Sequence, residues 1–207
     1  MPETTKPMLG RPATLAMPRE TILGHAARLF AEQGYERTSL QDVARAVGLS
    51  KAAIYHYYPT KQVIYEAIVT DLLVNLTTHV RVCVRAEVEH RERLRAFMES
   101  HAEYFEQNHS AFVTLLHGVS GIGRPQTPGQ IAVRDEHEDL LRSVLAEGKA
   151  AGSFVIEDTH VCARAVLSML NWMSRWFQPD GPKRAKSFAS EFFEMFYRGL
   201  APPGGRP

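Results

Sequence analysis

Apolar residues return every three or four positions along most of this chain, and the interruptions fall at glycine and proline clusters, which is the pattern of a helical protein. Ile22, Leu23, Ala26, Leu29 and Phe30 share one face of a helix over 19–33 that stops at Gly34. Leu40, Val43, Ala44 and Val47 share a face of a shorter helix; Gly48 and Leu49 turn the chain, and Ser50 caps a third helix that carries Ile54 inward. Thr38, three residues before Gln41, reads as the capping box that starts the second helix. Val63, Ile64, Ile68, Leu72 and Leu76 predict one long helix from 61 to about 87. Further helices are expected at 91–107, 109–117, 128–150, 158–177 and 183–199, broken at 118–128, at Gly152 and at 179–182. No stretch reads as a sheet or an internal repeat, so the fold class is all-α. The expected organisation is a three-helix helix-turn-helix domain at 18–62 and a larger helical ligand-binding and dimerisation domain at 63–200. A flexible arm at 1–17 and a flexible tail at 201–207 flank them.

The second helix of the short pair has the residue order that DNA requires. A helix entering the major groove presents short or forked side chains at its N-terminal end and flanks them with phosphate-binding groups. Ser50, Lys51, Ala52 and Ala53 form such an end, with Lys51 in reach of a guanine edge or a phosphate. Tyr55 and His56 add donors on the outward side, Thr38 and Ser39 flank the surface from the preceding helix, and Lys61 opens a helix whose N-terminus suits a phosphate. The competing reading is a solvent-exposed helical hairpin of an unrelated bundle. Lys6 and Arg11 in the arm are placed to brush DNA, although an arm of this composition is expected to be disordered.

These residues resemble the DNA-binding domain of the tetracycline-repressor (TetR) family of bacterial one-component regulators. The resemblance runs from Ile22 to Lys61, through FAEQGYERTSLQDVA and GLSKAAIYHYYPTK, and implies a double-stranded operator with inverted-repeat symmetry. Many members carry Gly-Thr or Gly-Ser after the lysine, where this chain has Ala52 and Ala53; the difference removes a hydroxyl contact to a base.

Charge and composition agree with that reading. The 207-residue chain is 44% apolar and carries a net charge of +1, yet residues 1–61 alone hold eight Lys/Arg against five Asp/Glu. Cys83 and Cys162 offer neither a disulfide framework nor a zinc-finger spacing, which fits a reducing cytoplasm. No run of eighteen apolar residues and no secretion leader is found, so no membrane partner is expected.

The segment NWMSRWFQPDGP at 171–182 gathers Trp172, Met173, Trp176 and Phe177 around Arg175. Aromatic stripes at helical spacing usually pack as core or as a dimer seam. A guanidinium among indoles can also bind a phosphate or carboxylate, which points to an amphipathic, anionic ligand whose apolar part lies against Phe112, Met169 and Trp172. Together with AVRDEHEDLLRSVLAEGKAAGSF at 132–154, this stretch resembles the ligand domains of TetR-type regulators of fatty-acid, branched-acid or steroid-ring catabolism. That resemblance implies an acyl-CoA thioester as the small-molecule effector, with Trp172, Arg175 and Trp176 as candidate contacts. The last helix carries Phe188, Phe192, Phe193, Phe196, Tyr197 and Leu200, too wide a stripe for one helix to bury. In the family the last two long helices pair with their symmetry mates, so Val166, Met173, Phe188, Phe192 and Phe196 are the expected homodimer residues; closure of the monomer's own core is the alternative.

Catalysis is not expected. His117-Gly118-Val119-Ser120-Gly121 lacks the second glycine spacing of a nucleophile elbow, failing at Ile122. His101, His109 and His117 recur at intervals that do not keep one face of a straight helix, and without HExxH or paired cysteines no metal and no cofactor are expected. Any of the three could line a ligand cavity. The sequence therefore reads as a homodimeric, ligand-released repressor, with an efflux or detoxification repressor answering to a drug-like ligand as the alternative. A helical ligand-binding protein without DNA function, or an enzyme on the same bundle, are the readings from other classes.

Overall fold

The computed structural model describes residues 19–120 and 127–201, the side chains of 117–120 excepted. The arm at 1–17 with Lys6 and Arg11, the histidine at 117, the nucleophile-elbow resemblance and nearly all of the tail lie outside the described residues. Every regular element among the described residues is a helix. They are α1 (Arg19–Gln33), α2 (Leu40–Ala46), α3 (Lys51–Tyr57), α4 (Lys61–Ala86), α5 (His90–Gln107), α6 (His109–Ser120), α7 (Pro128–Ala150), α8 (Thr159–Trp172), a 3-10 turn (Met173–Arg175) and α9 (Ala185–Leu200).

The N-terminal helices form where their caps and apolar faces dictate. Gly34 and Gly48 sit at φ of 86° and 70°, a left-handed backbone that glycine adopts freely, and each ends its helix. The cap of α2 corrects the Thr38–Gln41 expectation. Ser39 is the N-cap, its Oγ accepting from the Asp42 backbone N–H at 3.2 Å while Asp42 Oδ2 accepts from the Ser39 backbone N–H at 2.9 Å. The Ser39 hydroxyl, donating to Asp42 Oδ2 at 2.6 Å, and then the Ser39 backbone N–H hold the Asp42 carboxyl below its ordinary value. Ser50 caps α3 by accepting from the Ala53 backbone N–H at 3.1 Å, and Thr60 caps α4 by accepting from the Val63 backbone N–H at 3.2 Å.

Helix α4 is the shared element. Ile64 and Ile68 pack toward α1, while Leu76, Val80 and Val84 continue into the packing of the larger unit. By length and composition alone α4 is apolar enough to cross a membrane, as the core helix of a soluble protein can be; here its apolar face is core. Helix α5 lies against α4, α7 and α9, and α6 lies against α1 and α4. Glu194 on α9 receives Arg91 at 3.1 Å and Arg95 at 2.5 Å from α5, which fastens the last helix to the core. Where α7 turns toward α8, a side chain at Gly148 would overlap the ring of Phe154, itself 2% exposed.

Helix α8 is shorter than the 158–177 that its pattern predicts. After Trp172 the chain tightens into a 3-10 turn, with the Trp176 N–H donating to the Met173 carbonyl at 3.1 Å and Ser174 Oγ donating to the Asn171 carbonyl at 2.8 Å. Side chains of Ser and Asn that compete for backbone groups weaken a helix end, and Pro179 prevents its recovery.

Candidate functional site

Two surfaces carry the chemistry, and the first is α3. Ser50, Lys51, Ala52, Tyr55 and His56 are exposed, Ala53 is half-buried, and Ile54 and Tyr58 are buried beneath them. The outward face is thus a small-residue N-terminal end followed by a hydroxyl and an imidazole, an order that fits a helix reading base edges. Ser39 is also exposed, with its Oγ donating to Asp42 Oδ2 at 2.6 Å. Arg45, which the sequence pattern does not single out, extends from α2 with a side chain 80% exposed.

Two expected contacts are placed otherwise. Thr38 is only 2% exposed, and its Oγ1 donates to the Gly34 carbonyl at 2.9 Å, so the hydroxyl serves the turn. Lys61 Nζ donates to the carbonyls of Tyr35 at 2.6 Å and Glu36 at 3.3 Å and lies 4.2 Å from the Tyr35 ring centroid. A cation engaged by two carbonyls and an aromatic face is a strut between α4 and the end of α1.

The second surface is a cavity of about 320 Å³. Leu73 and Leu76 of α4 and Phe112, Leu115 and Leu116 of α6 make it apolar. His101 of α5, Arg134, His137 and Glu138 of α7, and Arg164, Ser168 and Asn171 of α8 supply polar groups, with Leu167 among them. Arg164 Nε stands 3.8 Å from Glu138 Oε1 with a side chain 75% exposed, so it marks the solvent side. Burial pulls the half-buried Arg134 guanidinium below its ordinary value, with Tyr65 and Asp135 opposing.

Of the expected ligand residues, Phe112 lines this cavity and is 1% exposed. Met169, Trp172, Arg175 and Trp176 do not line it. The cavity takes residues 164, 167, 168 and 171, one face of α8; Trp172 is a further 100° round the helix, and the 3-10 turn redirects the residues beyond it. Trp172 is 64% exposed, with the Arg175 guanidinium 5.8 Å from its ring centroid, and Trp176 lies edge-on to Phe188 at 5.0 Å. The cations that line the cavity are Arg134 of α7 and Arg164 of α8, and the 164/167/168/171 spacing on α8 would have helped to find the second.

The expected dimer residues also divide. Val166 and Met173 are fully buried inside the protomer, so neither is available at a seam. Phe188, Phe192 and Phe196 are half-buried on α9, with Trp176 against the first two and the 63%-exposed Met195 on the same helix. Among the described residues no group of three or more His, Cys, Asp or Glu side chains converges as a metal site. His109 packs on Phe105 and Phe177 instead, at centroid distances of 5.3 and 6.1 Å.

Inside the cavity wall the polar groups form a chain. Thr77 Oγ1 lies 3.1 Å from His137 Nδ1, and His137 Nε2 lies 3.1 Å from His101 Nδ1. Burial pushes the His137 imidazole down to about 4, with the Arg81 charge acting the same way and Glu136 opposing. Burial, then the neighbouring His137, drives His101 well below the ordinary histidine value. The other face of α6 reaches the DNA-facing unit: Thr114 Oγ1 donates to the Ala27 carbonyl of α1 at 3.1 Å.

Comparison with known proteins places this geometry in a family. Residues 22–68 match the model described as bacterial regulatory proteins, tetR family, and residues 87–200 match the tetracyclin repressor-like C-terminal domain. The chain is 27% identical over 187 residues to the HTH-type transcriptional repressor KstR2 of Rhodococcus jostii, covering 89% of this chain and 92% of that protein. The crystal structure of the TetR family transcriptional regulator PfmR from Thermus thermophilus superposes with a TM-score of 0.81 at 42% identity, covering 91% of this chain and all of that one. AibR in complex with isovaleryl coenzyme A and operator DNA superposes with a TM-score of 0.74 at 26% identity, covering 86% and 97%. With a helix-turn-helix matching the family's N-terminal model and a helical domain matching its C-terminal one, this chain belongs to the TetR family of DNA-binding transcriptional regulators, a family of regulators and not of enzymes.

Proposed function

We propose that this protein is a homodimeric repressor that lays α3 in the major groove of an inverted-repeat operator and leaves it when an acyl-CoA or related hydrophobic effector enters the α4–α8 cavity. The observation that carries the reading is the double engagement of α6. One face of it, through Phe112, Leu115 and Leu116, walls the cavity; the other donates from Thr114 to the Ala27 carbonyl of the DNA-facing unit. An occupant that displaces α6 must disturb α1, and an effector shifts the equilibrium only by its differential affinity for the two arrangements.

Size and charge support the effector class. A cavity of about 320 Å³ lies at the small end of ligand sites, room for an acyl group but not for coenzyme A as well. The nucleotide would remain outside, where Arg134 and Arg164 offer cations to its phosphates. A relative named as a repressor and a structural neighbour holding isovaleryl coenzyme A and operator DNA point the same way. For the dimer, the exposed aromatic face of α8 and α9 is the surface to be covered, which would set two recognition helices about 34 Å apart, one DNA turn.

Titration of straight-chain, branched and ring-derived CoA thioesters against the preformed protein–operator complex tests this. Release by at least one thioester is expected, and Arg134→Ala with Arg164→Ala should raise the concentration required while leaving operator affinity intact. Release only by uncharged hydrophobic compounds would shift the assignment to the drug-like class. Failure to bind any inverted-repeat DNA would overturn it.

A further inference from the structure

The buried Thr77–His137–His101 chain has a direction, and that direction decides what the cavity recognises. Thr77 is 2% exposed, and unlike its neighbour Thr78, whose Oγ1 donates to the Val74 carbonyl at 2.8 Å, it makes no bond back to its own helix. Its hydroxyl proton has one acceptor among the described residues, His137 Nδ1 at 3.1 Å. A neutral imidazole that accepts at Nδ1 carries its proton on Nε2. With Thr77 as the donor, His137 Nε2 donates to His101 Nδ1 at 3.1 Å and His101 carries its proton on Nε2; the opposite sense would leave the Thr77 hydroxyl proton unpaired instead. That atom is buried and has no hydrogen-bond partner among the described residues, and it belongs to a residue that lines the cavity and is itself 2% exposed. Burial favours the neutral form of both rings, so each has one N–H to place.

We propose that His101 is the specificity-determining residue of the cavity, its Nε2–H fixed by the Thr77–His137 relay to donate to an uncharged carbonyl oxygen of the bound ligand. This rests on the assignment of the α4–α8 cavity as the effector site. Phe97 and Phe112 flank the imidazole at centroid distances of 6.3 and 5.7 Å, so the oxygen would sit among apolar walls. A carboxylate in such a place is penalised unless a cation accompanies it, whereas a thioester, ketone or ester carbonyl accepts the proton without bringing a charge. A donor at the cavity with no protein partner favours carbonyl ligands over deoxygenated analogues of the same shape, because only the former can accept from it.

The test uses two matched pairs on the full-length protein: pentanoyl-CoA against S-pentyl-CoA, and acetophenone against ethylbenzene. Calorimetry on the CoA compounds and NMR-detected titration of the aromatics should each show the carbonyl member binding about tenfold or more tightly. That ratio should fall toward one in His101→Phe, and also in Thr77→Val, which removes the hydroxyl that orients the relay. Nitrogen-15 spectra of the free protein give a second readout, with His101 expected as the Nε2–H tautomer even if the phenylalanine variant folds poorly. Equal affinities within both pairs, an Nδ1–H tautomer at His101, or binding by no member of either pair would overturn the proposal. A preference for acetophenone with no binding of either CoA compound would uphold it while removing coenzyme A from the effector assignment.

Discussion

Lowering the pH from 7 toward 4.5 should destabilise this fold in a window where its carboxylates are still largely ionised. His137 titrates at about 4 in the folded protein against 6.5 in an unfolded chain. The unfolded state therefore binds the proton first, and stability present above pH 6.5 is lost as the pH falls toward 4. A depression of that size corresponds to about 3 kcal/mol at full protonation, lost progressively through the window. His101 acts in the same direction. The groups facing the pair are Thr77 and Arg81 on α4, Phe97 on α5 and Glu136 on α7, with Arg81 and Glu136 ion-paired at 2.6 Å. Urea unfolding at fixed protein concentration, followed by circular dichroism between pH 7 and 4.5, measures the slope. His137→Gln should be less stable at pH 7 but flatter across the window. A wild-type stability that does not change between pH 7 and 4.5, or a His137→Gln slope equal to the wild type's, would refute the reasoning.

Three other outcomes are expected. Tyr55→Ala should weaken binding to all DNA sequences and Lys51→Ala should also reduce the salt slope by about one, whereas Lys61→Met should lower the unfolding midpoint by roughly 1–2 kcal/mol through its two lost carbonyl bonds; anisotropy titrations over a salt series and urea melts separate the two effects. Gly148→Ala should cost about 1–3 kcal/mol, read as a lower urea midpoint, because the added methyl meets the buried Phe154 ring. Phe192→Glu should shift the sedimentation profile at micromolar concentration from dimer to monomer, and a wild type that sediments as a monomer would sink the proposed seam.

Much of the architecture is legible in the sequence because helix boundaries are set by local chemistry. The Gly34 and Gly48 stops, the Ser50 and Thr60 caps and the outward row of Lys51, Tyr55 and His56 all depend on residues within one turn of each other. Lys61 escapes a local reading because its partners, the Tyr35 and Glu36 carbonyls, lie 26 and 25 residues back along the chain, and Thr38 because its hydroxyl closes the Gly34 turn while its neighbour Ser39 takes the cap. The cavity is legible only in part. Phe112 and the histidine at 101 stand out in the sequence, but composition draws attention to the tryptophans, while the wall of the cavity follows the phase of α8. That phase ends at Trp172 because the turn after it is 3-10, and a one-residue error there rotates every later side chain by about 100°. Likewise Val166 and Met173 belong to the seam by hydrophobicity and to the interior by position.

The length of α4 sets a mechanical scale for the molecule. Its 26 residues make a rod of about 39 Å, continuous from the Thr60 cap beside the recognition helix to Ala86 beyond the cavity. A rod of that length, tilted by roughly 5° about one end, carries the other end through about 3.4 Å, the rise of a single base step along DNA. Two such rods in a symmetric pair would change the separation of the reading heads by up to twice that distance. A shift where Leu73 and Leu76 meet a ligand, near the middle of the rod, would be roughly doubled before it reaches the groove. Operator spacing would then be sensed as a length, and occupancy of the cavity would alter the ruler.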